Sequence, residues 1–497
     1  MVQTYQYGGY MQIFKKILCL SALVAGVTGQ ITAKEFKLET VLKPEIFTGV
    51  GSIGPDFGSA VKKNGSYIFV AAPLTFASEA GAVYVYKQDG HKWKQQQIIT
   101  TQFDNLLGLF QVDSDGDWLA ISSVVTLGVD GFDLKGSVVL YRLNHETGLW
   151  DKWQVLDRNS PGLQGLTRAN SNFTFFPPSN AYEEGANFGF TLSLDAKNGH
   201  LLVSAQGQKK KGKRNAGVVY AFDLNKKTGQ WQFIQKISNP IKVRKNDTFG
   251  TNVAIKDDVA LIGASPIFPF PKATPTSVYL FQREGKKWRF RQRVHGDQKK
   301  STTIVPLIAK TQDVVSSLRG DPTDVGDAFG AAIAVNEKWA LISAPFENRT
   351  RRHHFAGAFY FYEILKDSKG KKSLKRVHKA FSDSHNTNLT GLLHVSLDGD
   401  TAAIADAWRQ GPKGACQGGV IVYAAGKKGW KRQEVLYDPH GHSSAFFGGG
   451  VSVTKNHILG GTDPLFYAFI SESLGIILPP AIVDPHKSNK AILYKRT

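Results

Sequence analysis

Apolar and polar positions alternate with a period of two through most of this chain, and polar turns cut the alternation at short intervals. Residues 329–346, FGAAIAVNEKWALISAPF, show the unit. Phe329-Gly330 opens an alternating run, Asn336-Glu337-Lys338 breaks it, a second run ends in Ser343-Ala344-Pro345, and Gly357-Ala358 starts a third. Such a pattern predicts consecutive antiparallel strands. It recurs at 57–73, 188–206 and 249–266, each time followed by a third run and by a fourth that opens on Trp93, Trp231 or Trp288. Weaker copies start at Leu107, Thr390 and Phe447, so the starts are Phe57, Leu107, Phe188, Phe249, Phe329, Thr390 and Phe447. Seven four-stranded units in a row predict an all-β fold, a seven-bladed β-propeller of antiparallel blades spanning 34–497 as one domain.

The last unit, 447–462 then 490–496, stops after its third strand, while FKLETVL at 36–42 resembles the fourth strands WKRQEVL at 430–436 and WDKWQVL at 150–156. The N-terminal segment is therefore expected to supply the missing outer strand of the last blade and close the ring, leaving no free sheet edge. Trp93, Trp231, Trp288 and Trp430 open fourth strands; core packing accounts for them better than sugar stacking.

Composition changes this picture in two ways. Residues 11–33 place Lys15 and Lys16 before an apolar run, Ile17 to Val27, that is short for a bilayer span. This predicts a secretory signal over 1–33, cut after Ala33 or Gly29, with Met11 an alternative start that would make 1–10 an extension. The expected location is the periplasm, the cell surface or the medium. Cys19 falls inside the signal and leaves Cys416 alone, so the mature chain makes no internal disulfide. The second change is charge, a formal net +20, which suits an acidic partner.

The repeats resemble the FG-GAP family, which builds the propeller of integrin α chains and of many bacterial exported proteins. The residues that carry the resemblance are Phe57-Gly58 with Ala71-Ala72-Pro73, Phe249-Gly250 with Gly263-Ala264-Ser265, and Phe329-Gly330 with Ser343-Ala344-Pro345. The resemblance implies a fold and a binding or adhesion role without naming a ligand. It also implies calcium in the turn between first and second strands. Calcium takes six to eight oxygen ligands in a wrapping loop, and these turns are short. The nearest match, Asp113-Ser114-Asp115-Gly116-Asp117, has Trp118 and Ile121 where the family has a glycine and an acid. No cofactor is expected, with Asp113, Asp115 and Asp117 kept as weak metal candidates beside Asp438, His440 and His442 of Asp438-Pro439-His440-Gly441-His442.

Long insertions, 157–187, 295–328 and the apolar 463–489, fall in fourth-to-first and second-to-third connections, which share one face of a propeller. Basic second-to-third loops join them there: Lys209-Lys210-Lys211-Gly212-Lys213-Arg214, then Arg349 with Arg351, Arg352, His353 and His354, then Arg409 with Lys413. The expectation is an exported, monomeric, non-catalytic module. On this face it holds an acidic glycan such as lipopolysaccharide, a membrane surface or a protein partner. Export and the lack of a reading motif disfavour nucleic acid. No GxSxG, HExxH or phosphate loop occurs. The alternative is a propeller hydrolase or lyase acting on polysaccharide, and a third reading is a structural envelope protein.

Overall fold

The chain divides into residues 1–35 and Phe36–Thr497. The computed structural model describes 36–44, 56–73, 81–100, 105–128, 131–133, 136–166, 186–265, 276–297, 327–347, 349, 356–383, 391, 394–443, 445–462 and 489–497. The expected signal segment, most of the three long insertions, and Arg351, Arg352, His353 and His354 lie outside the described residues.

Seven antiparallel sheets make a seven-bladed propeller, each blade a meander of strands A to D from the axis outwards. Blade 4 is typical, with A at Phe249–Lys256, B at Val259–Ala264, C at Ser277–Glu284 and D at Lys287–Val294. Blade 2 carries one more strand, Gly131–Asp133, paired with its strand B. The last blade is completed as the pattern of residues demanded: Phe36–Leu42 pairs antiparallel with Ala491–Arg496, from Phe36 opposite Arg496 to Leu42 opposite Ala491.

The core lies between blades. One layer joins Val138 and Leu140 of blade 2 to Phe188, Val203, Tyr220 and Trp231 of blade 3. Because each strand is sandwiched between neighbouring sheets, strand B is buried at every position in blades 1, 4, 5 and 6. That is why these runs read as continuously apolar rather than alternating. The tryptophans opening strand D are packed: Trp231, Trp288 and Trp430 are buried, and Trp430 stacks on Phe361 of the previous blade at 4.7 Å.

The Phe-Gly pair does not simply begin strand A. Phe249 pairs with Ala264, and the register then shifts before Val253, so the dipeptide forms a kink with Gly250 at φ 94°. The kink meets the preceding blade where strand C begins. A Cβ on Gly217 would lie 2.1 Å from the Phe249 carbonyl oxygen, a distance only glycine tolerates. Gly418 meets Phe447 and Gly136 meets Phe188 at the same 2.1 Å. The phenylalanine–glycine start and the glycine before strand C are thus two halves of one joint between blades.

A second joint clamps the outer strands. Gln97 Nε2 donates to the Trp150 carbonyl at 3.0 Å, and the Trp150 N–H donates to Gln97 Oε1 at 2.8 Å. The same pair of bonds links Gln154 to Trp231, Gln235 to Trp288, and Gln292 to Leu374. Each glutamine follows a β-bulge in strand D, which turns its amide towards the next blade.

Candidate binding face

The meander places A–B and C–D turns at one end of every blade and B–C and D–A connections at the other. On the B–C/D–A face a polar residue follows strand D in each junction between blades 2 and 7, at Asp157, Asn239, Asp297, Asp383 and Asp438. Asp297 takes Lys379 at 2.8 Å and Arg376 at 2.5 Å, and its N–H donates to the Tyr360 hydroxyl at 2.9 Å. Tyr360 donates onward to the buried Glu347 at 2.5 Å. Asn239 donates to Asp247 at 2.6 Å and to Tyr279 at 3.0 Å. Among the described residues, these acids of the face are therefore consumed in holding loops to blades.

Arg409 belongs to that internal set and corrects the expectation of an exposed anion contact. It is buried, its guanidinium bonds Asp383 at 2.7 Å and Asp406 at 3.2 Å, and its Nε donates to Tyr437 at 2.9 Å. Burial alone would raise the Asp383 carboxyl, but the bonds from Arg409 and Arg432 overcome it and hold that carboxyl below the usual range.

Asp327, two residues before the blade 5 phenylalanine, behaves oppositely. Burial pushes its carboxyl up to about 6, against bonds from Thr276 and the Phe329 N–H; its Oδ2 has no hydrogen-bond partner. A folded pKa above the unfolded 3.8 gives a contribution that is full below 3.8 and lost as pH rises through about 6. Asp327→Asn stays neutral throughout, so the variant should gain roughly 2 kcal/mol over the wild type above pH 7. The gain should vanish near pH 4, and urea midpoints at the two pH values measure it.

The metal candidates do not converge. Asp113 takes Lys62 Nζ at 2.6 Å on one oxygen and the Leu194 N–H at 2.8 Å on the other, tying blade 2 to blades 1 and 3. Asp115 accepts from the Lys197 N–H and Asp117 faces His145. Asp438 is buried against Lys490 at 2.6 Å, while His442 Nδ1 bonds the Ser443 carbonyl. His440 contributes its N–H to Asp438 Oδ1 at 2.9 Å. No group of three or more metal-ligating side chains forms among the described residues.

The basic loop of blade 3 stands as a small hairpin. Lys210 and Lys213 exchange backbone bonds of 3.0 and 2.9 Å across Lys211-Gly212, both at positive φ. Lys209, Lys211 and Lys213 are exposed, and Lys210 and Arg214 half-buried. Two D–A loops flank the hairpin. On one side Gln208 Nε2 donates to the Gly165 carbonyl at 3.2 Å. On the other the Asn246 N–H donates to the Arg214 carbonyl at 3.0 Å and the Thr248 N–H to Asn215 at 2.9 Å. The flanks add Lys236, Lys242, Arg244 and Lys245, which lie on strand D of blade 3 and in the loop directly after it. Arg349 is exposed on blade 5.

The axis holds a cavity of ≈ 380 Å³ lined by strand A of all seven blades. Its charges are mixed and largely paired: Lys62 with Asp113, and Lys256 with Glu337 at 3.4 Å. His394 lines it as a neutral imidazole, pushed down to about 4 by burial. Sequence reasoning passed over this lining because the turns that bring it together repeat without a motif.

No family model matches the chain, and no curated protein does. Solved structures similar to it include a Lactobacillus plantarum protein (8% identity, TM-score 0.39, 78% of this chain and 86% of that one). A hypothetical selenium-binding protein from Sulfolobus tokodaii is 12% identical, with TM-score 0.41 over 75% of this chain and 76% of that one. The Pseudomonas aeruginosa periplasmic gluconolactonase is 12% identical, with TM-score 0.39 over 76% and 84%. Likeness this distant assigns no ligand or activity to this chain.

Proposed function

We propose that this propeller is an exported binding module of the FG-GAP repeat type whose B–C/D–A face holds an acidic polymer. The Phe-Gly kinks at Phe57, Phe249 and Phe329, and the joint that Phe249 makes with Gly217, support the repeat type, and Lys15, Lys16 and the apolar run after them support export. The observation that carries the reading is the blade 3 hairpin. Lys210, Lys211 and Lys213 have no carboxylate within ion-pair distance among the described residues, on a face where Asp297, Asp383 and Asp438 are all taken. Clustered like charges add their fields, raising local anion concentration and association rate.

Reversing Lys210, Lys211 and Lys213 to Glu should cut retention on heparin or lipopolysaccharide at least about tenfold in physiological salt, where the Debye length is about 8 Å. Reversing Lys226, Lys227 and Lys286, in C–D turns on the opposite face, is the control. Equal losses in both variants would mean that retention reports bulk charge alone. A second reading is a hydrolase or lyase on polysaccharide; turnover of an acidic polysaccharide by the purified protein would replace the binding reading.

A further inference from the structure

The cations around the blade 3 hairpin form a path rather than a point. At one end Lys236, on strand D of blade 3, has its ammonium 3.5 Å from where a Gly165 Cβ would lie. Gly165 is the residue whose carbonyl holds Gln208, and Gln208 Nε2 also bonds the Lys209 carbonyl at 3.1 Å. Lys236 therefore abuts the near leg of the hairpin. Burial, and then the charge of Lys210, pull its pKa down, as expected of two ammonium groups close together with no acid between them among the described residues. At the far leg the Arg214 carbonyl takes the Asn246 N–H, and Asn215 Nδ2 donates to Asn246 Oδ1 at 3.3 Å. That brings in Lys242, Arg244 and Lys245 from the next D–A loop. Asp247, the acid of that loop, is buried against Asn239 and leaves the surface positive.

We infer that this strip, from Lys236 across the hairpin to Lys242 and Lys245, is the seat of one linear anionic polysaccharide laid across the junction of blades 3 and 4. The inference rests on the polyanion reading of the face and adds the form of the ligand. A compact anion needs one pair of cations; a strip spread over strand D of blade 3, its B–C hairpin and the loop that leads to blade 4 rewards a chain that carries charge at repeated intervals. Single-stranded nucleic acid is the other linear polyanion, but its binding grooves present aromatic rings on which bases stack. Among the described residues of this strip the exposed large apolar side chain is Ile241, 53% exposed, an aliphatic one.

The test uses the mature chain, heparin fragments from disaccharide to dodecasaccharide, and calorimetric titration over a range of salt. Three variants are compared with the wild type: Lys236→Met, the pair Lys242→Met with Lys245→Met, and the triple Lys210, Lys211 and Lys213 to Glu. Affinity per chain should climb with fragment length and then level off. Each flank variant should weaken the dodecasaccharide by about tenfold, with a shallower salt dependence because fewer counterions are released. Each should leave the disaccharide within about twofold. Flank variants that bind every length like the wild type, while the hairpin triple loses binding, would sink the linear path and leave the polyanion reading standing. If no fragment binds the wild-type protein, both fail. An oligonucleotide of matched charge that binds as tightly as the dodecasaccharide overturns the assignment to polysaccharide.

Discussion

A chain that starts at Gly49, and so lacks Phe36–Leu42, should melt roughly 10 °C below one that starts at Lys34, with a broader transition and a tendency to aggregate. The strand is small but its absence is felt on three sides. Phe36 and Leu42 are 1% and 3% exposed; losing two such side chains removes roughly 3–6 kcal/mol of apolar burial. Arg496 to Ala491 would present an unpaired edge along the whole strand. The seam between blades 6, 7 and 1 would also open. The Phe36 N–H donates to Glu434 of blade 6 at 2.9 Å, and Glu39 bonds both His457 of blade 7 and the Trp93 indole of blade 1. A ring has no second closure, so this loss cannot be shared among the other blades. Differential scanning calorimetry decides the matter: equal melting of the two chains would mean that the strand is dispensable.

Lys490→Met should cost about 3–5 kcal/mol, the usual penalty for leaving a buried charge unpaired. Lys490 and Asp438 are 3% and 1% exposed and 2.6 Å apart. They join the second-to-third connection of blade 7 to the junction leaving blade 6. Asp438 is further fixed by the His440 N–H on its other oxygen and by Gln417 on its carbonyl. The double variant Lys490→Met with Asp438→Asn should recover most of the loss, because it removes the stranded charge while keeping an acceptor for His440. Urea midpoints of the two single variants and the double measure the coupling. Additive losses would show that the two groups contribute separately and that the pairing itself matters little.

Much of the architecture is visible in residue order because a propeller is built from local meanders. Each strand pairs with its sequence neighbour, so alternation and turn chemistry suffice to draw a blade. The closing strand was equally legible, since Phe36–Leu42 carries the fourth-strand pattern and the last unit lacks one. The joints between blades were written in the sequence without being readable there. Trp-x-x-x-Gln stands at Trp150, Trp231 and Trp288, yet only the packed sheets reveal that each glutamine reaches the next blade's outer strand.

The site divides along the same line. Residue order alone placed Lys209 to Arg214 in one basic turn, because the cations are close in sequence and the turn is short. It could not separate Arg409 from them, since exposure depends on which acids surround a side chain, and Asp383 reaches Arg409 from a separate junction while Asp406 meets it from the end of the strand that leads into its loop. Nor could it gather Lys236, Lys242 and Lys245 beside the hairpin or disperse Asp113, Asp115 and Asp117 among different partners. Strand pairing is a short-range consequence of pattern and follows from the sequence. Which charges meet and which stay free is set by the contacts of whole blades with one another, and that only the closed ring decides.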